Sequence, residues 1–191
     1  MKELSLNILD LVQNSLAAGA KNVTIEIRES IAEDNLCIKI SDDGSGMDPD
    51  FLSRVTDPFT TTRTTRKVGM GIPLMKMEAE MADGSFVINS EKGKGTKLCA
   101  IFRLSHIDRL PLGDIASTMI VLVQGSPDVD FIYIRQNDSD TFEFKTSEIR
   151  EVLGGLSLGA PEVLNWIHDY IIQGEAQVMS HKDYYREDGE I

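Results

Sequence analysis

The stretch Leu36-Cys37-Ile38-Lys39-Ile40-Ser41-Asp42-Asp43-Gly44-Ser45-Gly46-Met47 decides the fold of this chain. It begins with apolar residues that alternate as in a half-buried strand, and it places a carboxylate and two glycines where that strand ends. A carboxylate in this position can accept a hydrogen bond from an exocyclic amine such as that of adenine. Glycines beside it allow backbone to approach a flat ring, because they have no Cβ. Taken alone, Asp-Gly-Ser-Gly is also an ordinary turn, so both interpretations stay open at this point.

Size, charge and composition limit what the chain can be. Its 191 residues, 41% of them hydrophobic, suffice for one large domain or two small ones with an apolar core. No apolar run is long enough for a membrane span, and no secretory signal precedes the first predicted helix. The net charge of −12 repels nucleic acid and anionic lipid, so we expect neither nucleic acid nor a membrane as a partner.

The two cysteines, Cys37 and Cys99, both fall in apolar stretches with strand character. We expect them to be buried free thiols. A metal site would need more ligands than these two residues supply. Free thiols are typical of a reducing compartment, so we expect a cytoplasmic protein.

The N-terminal part of the chain mixes helical and strand patterns in the manner of an α/β sandwich. Apolar residues at positions 4, 8, 11, 12 and 16 predict a helix over 4–18, which Gly19 ends. Further helices are predicted over 48–55 and 70–81, and strands over 22–27, 36–41, 85–89 and 96–104. The first two strands form one predicted hairpin and the last two another. We therefore expect a two-layer α/β sandwich over residues 1–106.

The C-terminal part follows a different pattern, which predicts a second, smaller α+β module over residues 107–180. Asp114 is placed to cap a helix through Val123, and Ser147 to cap a helix through Leu153. A hairpin is predicted from strands 131–135 and 141–145, a last helix over 161–172, and a polar tail over 181–191. We expect this module to provide a partner or dimer contact.

Asp10 and Asn14 lie four residues apart on the first predicted helix, so they share one of its faces. The oxygen of an Asn side chain is a suitable ligand for Mg²⁺, which prefers oxygen donors. An Asp one turn away can orient or deprotonate an attacking water or hydroxyl. A solvated helix face is the alternative explanation of the same pair.

Gly69-Met70-Gly71 opens a predicted helix directly after a threonine-rich loop. The N-terminus of a helix offers unpaired N–H groups and a partial positive charge, so glycines here can form a phosphate cradle. Basic and hydroxyl side chains stand just upstream, at Arg63, Arg66, Lys67 and Thr60-Thr61-Thr62. The alternative is a merely flexible loop.

In this order the motifs resemble those of the ATPase superfamily that contains DNA gyrase, the ninety-kilodalton heat-shock chaperone, histidine kinases and mismatch-repair proteins. The resemblance covers residues 1–104. It rests on Asp10-Leu11-Val12-Gln13-Asn14-Ser15, similar to the N box; Asp42-Asp43-Gly44-Ser45-Gly46, similar to the first glycine box; Asp57-Pro58-Phe59-Thr60-Thr61, similar to the F box; and Gly69-Met70-Gly71 and Gly93-Lys94-Gly95-Thr96, similar to the second and third glycine boxes. Taken alone, the last segment could be only a hairpin turn. The spacing most resembles histidine kinase catalytic domains and bacterial anti-sigma-factor kinases.

The resemblance implies a Bergerat fold that binds ATP and Mg²⁺, with Asp42 on the adenine amine, Asn14 on the metal and the threonine-rich loop as a lid. It places Asp10 at the general-base position, where relatives often carry Glu. The ATP-binding residues that it implies are Asn14, Asp42, Gly44, Gly46, Met47, Phe59, Thr60, Thr61, Thr62, Lys67, Gly69, Met70, Gly71, Ile72 and Thr96. Two residues depart from the family pattern: Lys67 replaces a glycine of the second glycine box, and Ala17 replaces an acid common in the mismatch-repair branch.

Three activities are open for the bound nucleotide. A typical histidine kinase carries its phospho-accepting His on a dimerising helix bundle ahead of the ATPase domain. Here the ATP-binding pattern starts at residue 1, so we expect the acceptor on a separate protein. We favour a protein kinase. Asp10 argues against a non-catalytic module, because a protein that only binds nucleotide has no need of an acid one turn before the metal-binding Asn. The alternatives are a nucleotide-dependent conformational ATPase and a non-catalytic regulatory module. Members of the superfamily are often dimers, so a homodimer is one expected assembly.

Overall fold

The computed structural model describes residues 3–56 and 70–179. In chain order the elements are α1 (Leu4–Ala17), β1 (Asn22–Ser30), β2 (Asn35–Asp42), α2 (Pro49–Leu52), α3 (Gly71–Met81), β3 (Ser85–Glu91), β4 (Gly95–Arg103), α4 (Ile115–Gly125), β5 (Asp130–Gln136), β6 (Thr141–Lys145), α5 (Thr146–Leu153) and α6 (Pro161–Met179). Each predicted helix and strand has a counterpart here, although α6 is longer than predicted and α2 shorter. Within the described residues, no helix is both long enough and apolar enough to cross a membrane.

The strands form one sheet in the order β3-β4-β2-β1-β5-β6. The predicted hairpins β1–β2, β3–β4 and β5–β6 are confirmed as antiparallel pairs. β2 and β4 also pair antiparallel, with Asp42 opposite Thr96, so the ends of these strands bring two predicted site residues together. The expected α/β class is confirmed.

The core lies between the sheet and its helices, because each strand alternates between a buried and a more exposed side. α1 contributes Leu4, Ile8 and Leu11 to this core and contacts α3 and α4. The strands contribute alternate residues such as Ile25 and Ile38, which are fully buried. Removal of apolar surface from water stabilises this packing by roughly 25 cal/mol per Å².

The C-terminal strands extend the sheet of the N-terminal part. β5 pairs parallel to β1, with Phe131 opposite Val23, after α4 has led the chain back across the sheet. A buried ion pair joins the same two strands, with Arg135 Nη2 at 2.7 Å from Glu29 Oε2. The sheet is therefore continuous across the predicted boundary between residues 106 and 107, and the division into two domains stays a prediction.

The two caps predicted in the C-terminal part have different outcomes. Asp114 caps α4 as predicted, since its carboxylate accepts a 2.8 Å hydrogen bond from Ser117 N. The cap predicted at Ser147 is wrong, because α5 already begins at Thr146. The Thr146 hydroxyl accepts a 2.8 Å hydrogen bond from Phe131 N, which ties the start of α5 to β5.

The prediction that both cysteines are buried is wrong. Cys37 and Cys99 are free and only partly buried, and their sulfur atoms lie 3.7 Å apart. Cys37 stands between the buried residues Leu36 and Ile38, so its side chain points to the opposite face of the sheet. Desolvation, with a smaller contribution from Cys99, raises the pKa of the Cys37 thiol to about 12. This thiol is therefore protonated at neutral pH.

Candidate functional site

A cleft opens where α1 faces the ends of β2 and β4, next to the first turn of α3. It is lined by Leu11, Asn14, Ser15, Ala18, Ile40, Asp42, Gly46, Met47, Ile72, Ile88, Thr96 and Leu98. The predicted site residues in this set are Asn14, Asp42, Gly46, Met47, Ile72 and Thr96. Among the described residues the walls are mostly apolar and Asp42 is the one carboxylate in the lining, so the cleft suits a flat ligand with a polar edge.

Asp42, the last residue of β2, is held by two hydrogen bonds. Ser15 Oγ donates to Asp42 Oδ2 at 2.6 Å, and Gly44 N donates to Asp42 Oδ1 at 2.9 Å. A carboxylate has about four acceptor positions, so Asp42 keeps acceptor capacity towards the cleft. Ser15 is not among the predicted site residues. A serine on the buried face of an amphipathic helix could have identified it, because a buried hydroxyl needs a partner.

The packing of the chain on itself leaves no room for a Cβ at Gly46 and little room for one at Gly44. A Cβ at Gly46, where φ is +63°, would lie 2.0 Å from the carbonyl oxygen of Glu91. A Cβ at Gly44 would lie 3.0 Å from both Ala18 Cβ and Asp42 Oδ1. The sequence predicts these glycines as places where a ligand approaches the backbone. The structure adds contact of this loop with α1 and with the β3–β4 hairpin as a separate reason.

The β3–β4 hairpin is joined to the same loop through Ser90. The Ser90 hydroxyl accepts a 2.9 Å hydrogen bond from Met47 N, donates to Gly95 O at 3.0 Å, and lies 2.9 Å from the Thr96 hydroxyl. Gly95 has a φ of +99°, and a Cβ there would lie 1.9 Å from the carbonyl oxygen of Asp42. The hairpin is therefore fixed against the strand end that carries Asp42. Ser90 is a second residue that the motifs alone do not identify.

Asp10 and Asn14 share one face of α1, as predicted, and both are partly buried. Asn14 lines the cleft. Asp10 lies against the start of α3, where a Cβ at Gly71 would come within 2.3 Å of Asp10 Oδ2. Gly71 thus allows the N-terminus of α3 to approach the Asp10 carboxylate, and the helix dipole favours a negative charge there.

A second polar contact joins α1 to α3. The buried side chain of Asn7 donates through Nδ2 to the carboxylate of Glu78. Desolvation raises the pKa of Glu78, although the hydrogen bond from Asn7 acts in the opposite direction. The two helices therefore approach each other at Asn7 with Glu78 and at Asp10 with Gly71, beside the cleft.

Several predicted site residues lie outside the described part of the chain, namely Phe59, Thr60, Thr61, Thr62, Lys67 and Gly69. Met70 is described; it is exposed and immediately precedes α3. No side chain caps the start of α3 by a hydrogen bond within the described residues. Free N–H groups in the first turn of a helix are the groups that an anion would use, so the phosphate cradle stays a prediction.

The N-terminal part of this chain is similar to known proteins. Residues 2–106 match the family described as histidine kinase-, DNA gyrase B-, and HSP90-like ATPase. The sensor protein kinase FleS of Pseudomonas aeruginosa is 35% identical over 108 residues, which are 56% of this chain and 26% of that protein. The DNA mismatch repair protein MutL of Clostridium perfringens is 45% identical over 56 residues, which are 29% of this chain and 8% of that protein.

A solved structure of the N-terminal domain of a DNA repair protein has a similar fold, with a TM-score of 0.50 at 15% identity over 75% of this chain and 52% of that one. The chain spans between 8% and 26% of the two curated relatives named above. The family match itself covers more than half of this chain and includes every motif from Asp10 to Thr96. The chain therefore belongs to the family of histidine kinase-, DNA gyrase B- and HSP90-like ATPases.

Proposed function

We propose that the cleft binds ATP and that the adenine amine donates a hydrogen bond to Asp42. The observation that carries this proposal is the fixed position of the Asp42 carboxylate, whose oxygens accept from Ser15 Oγ and Gly44 N inside a largely apolar cleft. Apolar walls suit the faces of a purine, and a carboxylate is a strong acceptor for its amine. Membership of an ATPase family supports the same nucleotide.

Asn14 is the residue that would hold Mg²⁺. Its side chain lies on the cleft wall, one turn from Asp10, and an amide oxygen is a donor that Mg²⁺ accepts. Mg²⁺ usually has only one or two protein ligands beside phosphates and water, so a single Asn is a sufficient donor set. When bound, Mg²⁺ neutralises charge on the phosphates. The first turn of α3, beginning at Gly71, would face the same phosphates.

Asp10 is the proposed general base. Its carboxylate is partly buried, lies beside Gly71 at the start of α3, and is one turn of α1 away from Asn14. From this position it can accept a proton from a hydroxyl or imidazole that attacks the terminal phosphate. A protein that only binds nucleotide has no use for an acid at this point, so Asp10 favours a catalytic function.

We further propose that the phosphoryl group goes to a separate protein in the cytoplasm. His106 Nε2 lies 3.5 Å from Asp83 Oδ2, and His168 Nδ1 lies 3.6 Å from Asp169 Oδ1. Neither of these histidines lines the cleft, so neither is a ready acceptor in the described structure. Residues 107–180 would contact the protein substrate, a regulatory partner or a second copy of the chain.

Labelled ATP distinguishes this proposal from its two alternatives. Partners are captured on the full chain loaded with Mg²⁺ and a non-hydrolysable ATP analogue, and each is then incubated with the chain and γ-labelled ATP. Label on a captured protein, lost with Asp10→Asn, supports the kinase. Release of ADP without transfer would instead indicate a conformational ATPase, and nucleotide binding without either product would indicate a regulatory module.

A further inference from the structure

A groove of about 460 Å³ lies between α5 and α6, beside β6 at the opposite edge of the sheet from β3. Its apolar lining includes Phe144, Ile149, Val152, Val163, Trp166 and Tyr170. β1 and β5 lie between this groove and the nucleotide cleft at β2 and β4, so the two sites do not overlap.

Large apolar side chains in this groove are exposed to solvent. Val152 is 86% exposed, Trp166 53% and Tyr170 40%. Single exposed apolar residues are normal on protein surfaces, but a cluster of them around a concave surface is typical of an interaction site. These exposed side chains make the groove a candidate interaction surface.

The aromatic residues of the groove are held in place by the core. Trp166 and Tyr170 stack, with ring centroids 5.2 Å apart and planes 9° from parallel. Tyr170 packs in turn against Phe142 and Phe144 of β6, with centroid distances of 5.4 and 6.5 Å. Both phenylalanines are buried. A Trp and a Tyr fixed in this way are the residue types that contribute most to binding at protein interfaces.

The rim of the groove is acidic. Glu143, Glu148 and Glu162 line it, and within residues 3–56 and 70–179 Lys145 is the one basic residue in the lining. Lys145 Nζ is already engaged by Glu143 at 2.8 Å and by Glu148 at 3.3 Å. The rim therefore carries a net negative charge that a basic occupant would complement.

We infer that this groove binds a segment of a partner protein in which large apolar side chains are flanked by Lys or Arg. A second copy of the chain fits less well, because two molecules of net charge −12 would bring their acidic rims together. The chain's own residues 180–191 also fit less well, since they carry four carboxylates against two basic side chains. Binding in this groove does not require nucleotide in the cleft.

Trp166 provides a direct test, because it is the only tryptophan of the chain. The probe is a synthetic amphipathic peptide of Leu and Lys, and its control is the same peptide with every Lys replaced by Glu. We expect the Leu–Lys peptide to shift the Trp166 emission to shorter wavelength with a saturable dependence on concentration, and the Leu–Glu peptide to leave it unchanged. Equal binding of the two peptides would overturn the inference.

Matched variants of the full chain locate the binding surface. Val152→Asp should lower the affinity of the chain for the Leu–Lys peptide at least about tenfold, although it adds a negative charge that would otherwise attract a cationic peptide. Ile107→Asp adds the same charge at a residue that is 94% exposed and does not line the groove, so it should leave the peptide affinity unchanged. Both substitutions are at exposed positions and should preserve the fold.

Three further kinds of result would overturn the inference. The first is an unchanged affinity in Val152→Asp, or an equal loss in Ile107→Asp. The second is concentration-dependent self-association in sedimentation that Val152→Asp abolishes, which would assign the groove to a second copy. The third is protection of Trp166 from acrylamide quenching in the free chain, with loss of that protection in a Tyr184→Ser, Tyr185→Ser double variant. This result would assign the groove to the chain's own C-terminal residues.

Discussion

Replacing Asp42 by Asn should weaken ATP binding without unfolding the protein. The carboxylate accepts hydrogen bonds from Ser15 Oγ at 2.6 Å and from Gly44 N at 2.9 Å. An Asn of the same shape can keep its oxygen towards Gly44 N, and the Ser15 hydroxyl can rotate to accept from the new amide. The variant should therefore stay folded, while the acceptor offered to the adenine amine loses its charge.

The magnitude follows from the loss of one charge-assisted hydrogen bond in a partly buried site. Such a bond contributes roughly 1.5–3 kcal/mol, so the Kd for ATP should rise roughly 10- to 150-fold. Isothermal titration calorimetry of the full chain with ATP and Mg²⁺ measures this Kd, and circular dichroism checks that the variant is folded. An unchanged dissociation constant would mean that Asp42 does not hold the adenine.

Asp43→Asn is the matched control, because Asp43 is the adjacent residue and carries the same charge. Its carboxylate accepts hydrogen bonds from Asn22 Nδ2 at 2.7 Å, Asn22 N at 2.9 Å and Lys21 N at 2.7 Å, and these bonds, with the Asn22 side chain first, lower its pKa. It does not line the cleft. Asp43→Asn should keep the affinity for ATP, and an equal loss in both variants would refute a specific function of Asp42.

Three further changes test the site and the fold. Asp10→Asn should leave ATP binding unchanged and lower the rate of ADP release at saturating ATP and Mg²⁺ by roughly 10²- to 10⁴-fold. An unchanged rate would mean that Asp10 is only a structural residue. Gly46 and Gly93 both have a positive φ, but of the two only Gly46 lacks space for a Cβ. Gly93→Ala should therefore lower the free energy of unfolding in urea by about 1–2 kcal/mol, and Gly46→Ala should lower it by more. Equal losses would refute this packing argument. Desolvation raises the pKa of Glu175 above its usual 4.5, so the folded state holds this proton to higher pH than the unfolded state. Stability is therefore lost as the pH rises from the pKa of the unfolded state through the higher pKa of the folded state. Glu175→Gln should remove this loss in urea unfolding series across pH, and a difference between the two proteins that does not vary with pH would contradict it.

The N-terminal half of the fold could be predicted because its signals are local. Alternation at Ile38 and Ile40 predicts β2 and therefore places Asp42 at a strand end, and the helical spacing of α1 places Asp10 and Asn14 on one face. The same alternation also puts Cys37 on the opposite face from Ile38, so its partial exposure could have been predicted by applying the period of two more strictly.

Contacts between distant segments could not be predicted in this way. The parallel pairing of β5 with β1 joins residues more than a hundred positions apart, and nothing in either strand's pattern specifies the neighbour. The same applies to Ser90, which contacts the loop after β2 only because the β3–β4 hairpin folds against Met47. Likewise the start of α5 is decided by the contact of Thr146 with Phe131, and not by the capping preference of Ser147.

The central claim is that Asp10, Asn14 and Asp42 surround one site for ATP with Mg²⁺. A crystal structure of the full chain with Mg²⁺ and a non-hydrolysable ATP analogue tests it most directly. We predict the adenine amine within hydrogen-bonding distance of Asp42, the Asn14 side-chain oxygen on Mg²⁺, and the Asp10 carboxylate facing the terminal phosphate. Adenine bound elsewhere, or Mg²⁺ held without Asn14, would contradict the account.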